Sequence, residues 1–517
     1  MPDASAPEDR PGGDHAPPPP AETTAGWPQP DGRPLDYTAR AEWIVLRQRE
    51  KPAAEIFSVA YVAAGDHERP VTFVFNGGPG ASSAFLHLGA VGPVRVALPG
   101  DGSLPRPPAR LVANENSWLA FTDLVFVDPV GTGFSRVVEP GDKDDADGAD
   151  GHKRPRQGSE DGDLARRYFG YKRDLESLCE FMGRWLSSHR RWGSAVLISG
   201  ESYGGYRVGR LARMLQETAG IGLSGAVLIS PALEISSLIP TDYDVLGWLD
   251  AVPTMALTAV HHGRSRAFAA DARSDDIRAE AERFATGDYV TLLTRGASMQ
   301  AAARDRILGR LADLVGLPAD LVARAEGRIG VPLFARELLR DERRVVGYYD
   351  ATVTAVDPFP DRVAFAGPDP TLEGIGPAFT TAINRQLRAE IGVRTDREYV
   401  VLSDEVNEAW RNDAIEHFFM PPVGATDDLR YGMTLNPQLR TFIAHGRYDL
   451  VTPYYASDRL RNLMRLDPGM AGRLTVRHFD GGHMFYAWES SRRAFTAAIA
   501  EFVADATGAA DGAPSHA

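Results

Sequence analysis

The stretch Ala195-Val196-Leu197-Ile198-Ser199-Gly200-Glu201-Ser202-Tyr203-Gly204-Gly205 decides the architecture. Ala195 to Ile198 is a short apolar run rich in β-branched residues, which reads as a buried strand. After it, Val208, Leu211, Ala212 and Leu215 recur with a period near 3.6 and predict an amphipathic helix. Between them stands a G-x-S-x-G pentapeptide. In a strand-turn-helix setting this reads as a nucleophile elbow: Ser202 sits on a strained turn with its hydroxyl exposed, and Gly200 and Gly204 are small because strand and helix approach closely. The pentapeptide alone also occurs in plain strand-helix connections, so the flanking elements carry the reading.

Working outward, further strand candidates are Trp43 to Leu46, Ile56 to Val62, Val71 to Phe75, Leu124 to Val127, Ala226 to Ile229, Thr441 to Ala444 and Leu474 to Arg477. Helical spacing lies between the central ones, as in Leu175, Leu178, Cys179, Met182 and Leu186. Strands alternating with helices predict an α/β fold with a mostly parallel sheet covered on both faces. Residues 233–432 are rich in Ala, Arg and Leu at helical spacing, for example Ile307, Leu308, Leu311, Leu314 and Val315. They predict a helical cap inserted between the sixth and seventh of these strands. The expected organisation is a disordered tail over 1–34, a core over 35–232, the cap over 233–432, the rest of the core over 433–504 and a disordered tail over 505–517.

Residues 1–34 hold ten prolines and no Val, Ile, Leu or Phe, too little apolar surface to offset the entropy of ordering. Residues 139–163 carry nine acids against four bases and no large aliphatic side chain, and read as a disordered acidic insertion. Its Asp145, Asp147 and Asp150 resemble the start of a calcium loop. Ala149 falls where a third oxygen ligand belongs, however, and no Glu closes the loop, so a solvated surface is the better reading.

Across 517 residues the formal charge is −14, which argues against nucleic acid as a partner, since neutralising phosphates needs a basic face. No apolar run is long enough to span a bilayer. A single cysteine, Cys179, forms no internal disulfide, and no positive segment followed by an apolar stretch opens the sequence. These features set the expectation of a cytoplasmic protein without membrane partners. No H-E-x-x-H occurs among the twelve histidines and no nucleotide-binding glycine pattern follows a strand, so neither metal nor cofactor is expected.

A serine hydroxyl is a weak nucleophile and needs a base oriented by an acid. In α/β hydrolases these follow in the order Ser, acid, His, on loops after late strands. Asp449 lies just past the strand Thr441 to Ala444, and His483 lies in the loop after the next one, in Asp480-Gly481-Gly482-His483-Met484. His445 and His478 compete as bases, and Asp458 and Asp480 as acids. Asp449 and His483 are preferred, because the glycines before His483 let its loop approach Ser202 closely. The oxyanion of a tetrahedral intermediate needs donors as well. The N–H of Tyr203 is one; the other is expected in Asn76-Gly77-Gly78-Pro79-Gly80, directly after the strand Val71 to Phe75, where the plain alternative is a Gly-Pro turn.

These residues, with Asn116-Ser117-Trp118, Asp128-Pro129-Val130-Gly131-Thr132-Gly133-Phe134-Ser135 and Gly481-Gly482-His483-Met484, resemble the serine carboxypeptidase family. The resemblance implies an α/β-hydrolase fold with Ser202, Asp449 and His483 as the catalytic triad and Gly78 and Tyr203 as oxyanion donors. It implies a peptide substrate with a free C-terminus, whose carboxylate would be held by Asn76, Gly77, Glu201 and a second Glu. Two carboxyls sharing a proton can bond a third carboxylate, which is why the family favours acid pH.

The sequence departs from that pattern where the second Glu falls on Ala90, and a family cysteine is replaced by Ala81. With one cysteine, it reads as a bacterial-like member without disulfides. His87, one turn before Ala90 if that segment is helical, and Arg95 are candidate cations for the gap, set against plain readings as a surface histidine and a solvated arginine. The expected activity is a serine-type carboxypeptidase acting through an acyl-enzyme. The lost Glu makes an acyltransferase or esterase on the same scaffold the alternative, and a non-catalytic binding protein the weakest reading.

Overall fold

The computed structural model describes residues 15–29, 32–48, 50–65, 68–138, 167–362, 365–411 and 424–508. The acidic insertion over 139–163, with Asp145, Asp147 and Asp150, lies outside them. The centre of the molecule is a ten-stranded sheet. Nine of its strands are β1 (Ala21–Pro28), β2 (Pro34–Gln48), β3 (Lys51–Ala63), β4 (Val71–Phe75), β5 (Asp123–Val127), β6 (Val196–Glu201), β7 (Leu223–Ile229), β8 (Arg440–Gly446) and β9 (Leu474–Phe479). Their order across the sheet is β1-β2-β3-β5-β4-β6-β7-β8-β9, and the short strand Arg136–Val137 pairs with β3. Pairing is antiparallel from β1 to β5 and parallel from β5 through β9. All eight stretches expected as strands lie in this sheet.

The helices that position the site are α1 (Tyr171–Ser188), α2 (Tyr203–Thr218), α3 (Leu246–His261), α4 (Ser274–Phe284), α5 (Ala301–Val315), α6 (Leu372–Arg385), α7 (Thr426–Leu435), α8 (Tyr454–Leu463) and α9 (Glu489–Ala506). Side chains alternate across the strands, so each central strand feeds two cores. Phe73, Phe75, Ile198 and Ile443 face the core closed by α1 and α2, while Val74, Leu197 and Phe442 face the core that holds Phe495 and Ile499 of α9. The expected helical faces are buried: Leu175, Leu178, Cys179, Met182 and Leu186 on α1, and Val208, Leu211, Ala212 and Leu215 on α2. The result is an α/β-hydrolase fold. Among the described residues no helix is long and apolar enough to cross a membrane.

The tail expected over 1–34 is corrected in its later half. Residues 21–28 form β1, laddered antiparallel onto β2. Backbone pairing needs no aliphatic side chain, and the strand is anchored by Trp27, which is buried and donates from Nε1 to the Asn114 carbonyl at 2.8 Å. At the other end α9 runs to Ala506, so the chain is helical slightly beyond the expected start of the C-terminal tail.

The region 233–432 is not one helical unit. Its first part, α3 to α5, has its own core around Leu249, Leu308, Leu311 and Phe334, into which Tyr454 of α8 is packed. Its later part belongs to the hydrolase body: Phe379 and Ile383 of α6 join the core on one face of the sheet, and Leu429 and Met433 of α7 join the other. Between these parts, Arg344–Val346 and Thr354–Val356 form an antiparallel hairpin.

Candidate active site

Ser202 joins β6 to α2 with φ 61° and ψ −123°. An L-residue pays for such a conformation with strain, and the surroundings must hold it. They do so through three main-chain bonds: Ser202 N–H to the Ile229 carbonyl at 3.0 Å, and the Ser202 carbonyl to Gly205 N at 2.8 Å and Ala232 N at 3.0 Å. Tyr203 is the first residue of α2, where amides lack an acceptor within the helix. Its ring is buried, with the Arg207 guanidinium 4.8 Å from its centroid.

Asp449 follows β8, and its carboxylate is tied on both sides. Oδ1 accepts from Val451 N at 2.8 Å and Thr452 N at 3.0 Å; Oδ2 lies 2.7 Å from both His483 Nδ1 and Thr452 Oγ1. Thr452 Oγ1 is also 2.9 Å from the Ser230 carbonyl and 3.1 Å from His483 Nδ1. With Nδ1–H donated to Asp449, Nε2 of His483 is left as the basic nitrogen. Burial pulls the His483 pKa down, but the charge and hydrogen bond of Asp449, with the charge of Glu201, raise it above the usual value overall. Thr452 is absent from the sequence reading. An Asp whose side chain meets the amides two and three residues on is an Asx-type turn, and a Thr three residues after the Asp is the signal that marks it.

The competing groups are engaged elsewhere. His445 is buried, bonds Ser457 Oγ at 2.8 Å and is pushed down to about 3 by burial. His478 faces Asp458 at 2.9 Å, and Asp480 pairs with Arg447 at 2.6 Å.

Ser202 and His483 line one cavity of about 240 Å³ together with Asn76, Gly77, Gly78 and Glu201. Phe85, Leu402 and Met484 add apolar wall, and among the described residues the lining contains no Lys or Arg. A larger open groove of about 1050 Å³, bordered by β2, α1 and α2, shares no residue with it. Gly78 has φ 96° and belongs to the loop after β4, which is held from two directions. From below, Arg207 Nη1 donates to the Asn76 carbonyl at 2.6 Å, while Asp174 takes the same guanidinium at 2.8 and 3.0 Å. From above, the Gly80 carbonyl accepts Ser403 N at 2.8 Å and the Pro79 carbonyl accepts Asn407 Nδ2 at 3.1 Å.

Glu201 is buried, and Asn76 Nδ2 donates to its Oε2. Asn76 itself is fixed by Leu86 N, which donates to Oδ1 at 3.0 Å. Burial pushes the Glu201 carboxyl up to about 7 against the lowering effect of His483, Tyr486 and Asn76. Ala90 is buried in a wide helical turn, His87–Val91, and packs in the core. The two cations considered for its missing carboxyl are corrected. His87 is a core residue, stacked on Phe126 at 4.1 Å and bonded through Nε2 to the Tyr61 hydroxyl at 2.8 Å; burial pushes it down to about 3, so it is neutral. Arg95 donates to the Val96 carbonyl at 3.2 Å and faces Glu115 and Glu489. Neither lines the cavity.

The hairpin within 344–356 supplies contacts that the sequence did not signal. The Tyr349 carbonyl accepts His483 N–H, and the Tyr349 ring stands edge-on to the imidazole at 5.2 Å. Asp350 is half-buried, and its Oδ2 accepts Gly482 N at 3.0 Å and Trp488 Nε1 at 2.9 Å. The close approach that Gly482 permits is thus to this hairpin: a Cβ there would lie 1.9 Å from the Tyr349 carbonyl oxygen.

Comparison with known proteins gives a family likeness over part of the chain. The serine carboxypeptidase sequence model matches residues 40–254, a stretch holding the Asn76 loop and Ser202. Over these residues the chain is similar to the serine carboxypeptidase family. Asp449 and His483 lie beyond that match, so their place rests on the geometry above. The pheromone-processing carboxypeptidase KEX1 of Yarrowia lipolytica is 30% identical over 188 residues, covering 35% of this chain and 25% of that protein. Serine carboxypeptidase-like 44 of Arabidopsis thaliana is 27% identical over 191 residues, covering 34% and 33%. The matches thus span a third or less of these serine carboxypeptidases. Among solved structures, a soluble variant of the Saccharomyces cerevisiae monoglyceride lipase aligns over 90% of this chain and 95% of its own at 11% identity, with a TM-score of 0.37.

Proposed function

We propose that the protein is a serine-type carboxypeptidase that removes the last residue of a peptide through an acyl-enzyme on Ser202. The observation that carries this reading is the single cavity in which Ser202 and His483 stand beside Asn76, Gly77 and Glu201. A nucleophile and its base next to a polar subsite closed by a carboxyl suit a substrate whose scissile bond lies one residue from a free terminus.

In this mechanism His483 Nε2 takes the Ser202 proton as Oγ attacks the last peptide carbonyl, and Asp449 holds the resulting imidazolium. The main-chain N–H groups of Gly78 and Tyr203 stabilise the oxyanion. The imidazolium returns its proton to the leaving nitrogen, the C–N bond breaks, and water activated by the same histidine hydrolyses the ester. The terminal carboxylate meets Asn76, the Gly77 amide and the Glu201 carboxyl. A protonated Glu201 donates to it, whereas an ionised one repels it. Since burial places the Glu201 carboxyl at about 7, recognition of free acids extends to neutral pH and fails above it.

N-blocked dipeptides with free and amidated C-termini, assayed from pH 4 to 9, test the reading. The expected result is release of the terminal residue from free acids, with kcat/KM rising as His483 deprotonates and falling as Glu201 ionises, and far slower turnover of amides. Ester cleavage with neither peptide touched would sink it in favour of the second reading, an esterase or acyltransferase, which the absence of a second carboxyl at Ala90 favours. Failure of a fluorophosphonate to label Ser202 in folded protein would sink both.

A further inference from the structure

With Ala90 in the core and no cation among the described residues of the lining, the cavity holds few side-chain donors for a terminal carboxylate. Asn76 already gives Nδ2 to Glu201, and Asn407 gives Nδ2 to the Pro79 carbonyl at 3.1 Å. Tyr349 lines the same cavity, and its hydroxyl has no hydrogen-bond partner among the described residues. Tyrosine hydroxyls held away from bulk water ordinarily find one. Here Tyr61, Tyr289 and Tyr454 bond His87, the Gly327 carbonyl and Glu282 at 2.8, 2.8 and 2.9 Å. Nor is the Tyr349 hydroxyl sealed inside the protein: it keeps an accessible surface. Its ring is firmly placed, because the chain around it is laced to the loops of both Asp449 and His483. The Tyr348 carbonyl accepts Leu450 N at 3.1 Å, and Ala351 N donates to the Tyr448 carbonyl at 3.0 Å. The Tyr349 carbonyl accepts His483 N–H, and Tyr349 N donates to Thr371 Oγ1 at 3.3 Å. The ring thus stands edge-on to the imidazole, with centroids 5.2 Å apart.

We infer that Tyr349 is a substrate-binding residue whose hydroxyl donates a hydrogen bond to the terminal carboxylate of the peptide. The inference rests on the carboxypeptidase reading. A free hydroxyl in the cavity gives up no protein partner when substrate arrives, so it exchanges only water for a charged acceptor. It also differs in kind from the carboxyl that Ala90 replaces. Glu201 donates only while it holds its proton, whereas a tyrosine is a donor over the whole range in which Glu201 titrates. Burial pushes the Tyr349 hydroxyl up to about 12, and the charges of Asp449, Asp369, Glu201 and Glu373 push it the same way. The tie from the Tyr349 carbonyl to His483 N–H then sets the carboxylate donor and the proposed base at a fixed spacing, which suits a bond one residue from the terminus.

Tyr349→Phe keeps the ring and the main-chain tie to His483 and removes only the hydroxyl. On N-blocked dipeptide free acids KM should rise by about ten- to a hundredfold, the range of one hydrogen bond to a charged group. Because the contact is made equally before and in the transition state, kcat should change little. N-blocked amino-acid esters, which carry no terminal carboxylate, should show a far smaller rise in KM. The free-acid loss should be the same at pH 5 and pH 7, since the donor does not titrate between them. Free-acid and ester KM that rise alike, or a free-acid KM that does not move, would overturn the inference while leaving the carboxypeptidase reading intact. So would a drop in kcat shared by both substrates with KM unchanged, which would mean that Tyr349 acts only through His483. A parent enzyme with no preference for free acids over amides would overturn both. If Tyr349→Phe does not fold, 3-fluorotyrosine incorporated at position 349 keeps the ring and strengthens the donor. Free-acid KM must then fall relative to ester KM, and an unmoved ratio overturns the inference.

Discussion

The carbonyl of Tyr349, on a hairpin of the insertion, accepts the main-chain N–H of His483. The residue that carries the proposed base is thereby tied to a segment more than a hundred positions away in sequence. Asp350 completes the tie by bonding Gly482 N at 3.0 Å and Trp488 Nε1 at 2.9 Å, one contact on each side of His483.

Asp350→Ala should therefore lower kcat on esters and free-acid peptides alike, with KM little changed. A catalytic group displaced by about 1 Å costs up to about a hundredfold, so a loss of about ten- to a hundredfold is expected. Fluorophosphonate labelling should slow in step, and Asp350→Asn, which retains an acceptor oxygen, should recover part of the rate. A kcat unaffected by Asp350→Ala would show that the hairpin does not position the imidazole.

Gly77 stands at a tight point beside the proposed oxyanion donor Tyr203. A Cβ there would lie 2.4 Å from Tyr203 N, 2.7 Å from the Glu201 carbonyl oxygen and 2.8 Å from Gly204 N, all main-chain atoms that cannot swing aside. Gly77→Ala must displace the amide of Tyr203, and the loss of one oxyanion donor costs about 10²- to 10³-fold in kcat. Gly183 of α1 has nothing within 4 Å of its would-be Cβ, so Gly183→Ala is the matched control and should leave ester kcat unchanged. Equal rates for the two variants would place the oxyanion donors elsewhere.

The strands were legible in the sequence because each central one is a short apolar run feeding a core on both faces, as Phe73, Val74 and Phe75 do. The pairing of Asp449 with His483 was legible from chain order and placement after strands. What stayed hidden depends on contacts between distant segments. Nothing local to Tyr349 or Asp350 marks them as neighbours of His483. β1 was hidden because its stability comes from backbone pairing and a single buried Trp27, neither of which registers as apolar composition. Neither reading of His87, as a cation for the carboxylate site or as a surface residue, places it in the core, because a lone histidine in a helical turn carries no sign of the Phe126 and Tyr61 rings that enclose it.

Arg207 and Asp174 form a buried pair beneath the Asn76 loop, and the same guanidinium holds the Asn76 carbonyl at 2.6 Å. Arg207→Met leaves Asp174 buried without its partner, which costs about 3–5 kcal/mol. A double variant, Arg207→Met with Asp174→Leu, removes the stranded charge and should regain most of that stability in thermal melts. It does not restore the donor to Asn76. Ester kcat should stay below the parent in the double variant even where its melting temperature recovers, and full recovery of both would mean that Arg207 is structural only.

Two of the buried histidines, His87 and His445, set the acid limit of the fold. Each is pushed down to about 3 by burial, below the 6.5 of an exposed imidazole. The unfolded chain therefore binds protons at these sites at pH values where the folded chain does not. Their neutral burial is fully favourable above about pH 6.5 and becomes a growing liability as pH falls towards 3. At pH 4.5, some two pH units below the exposed value, each contributes roughly 2–3 kcal/mol of lost stability. His87→Gln does not titrate and can still bond the Tyr61 hydroxyl. Its melting temperature should lie below the parent's at pH 7.5, where packing against Phe126 is lost, and should draw level with or pass it at pH 4.5. A gap between variant and parent that stays constant across that range would mean that His87 titrates alike in the folded and unfolded chains, and that the acid limit is set elsewhere.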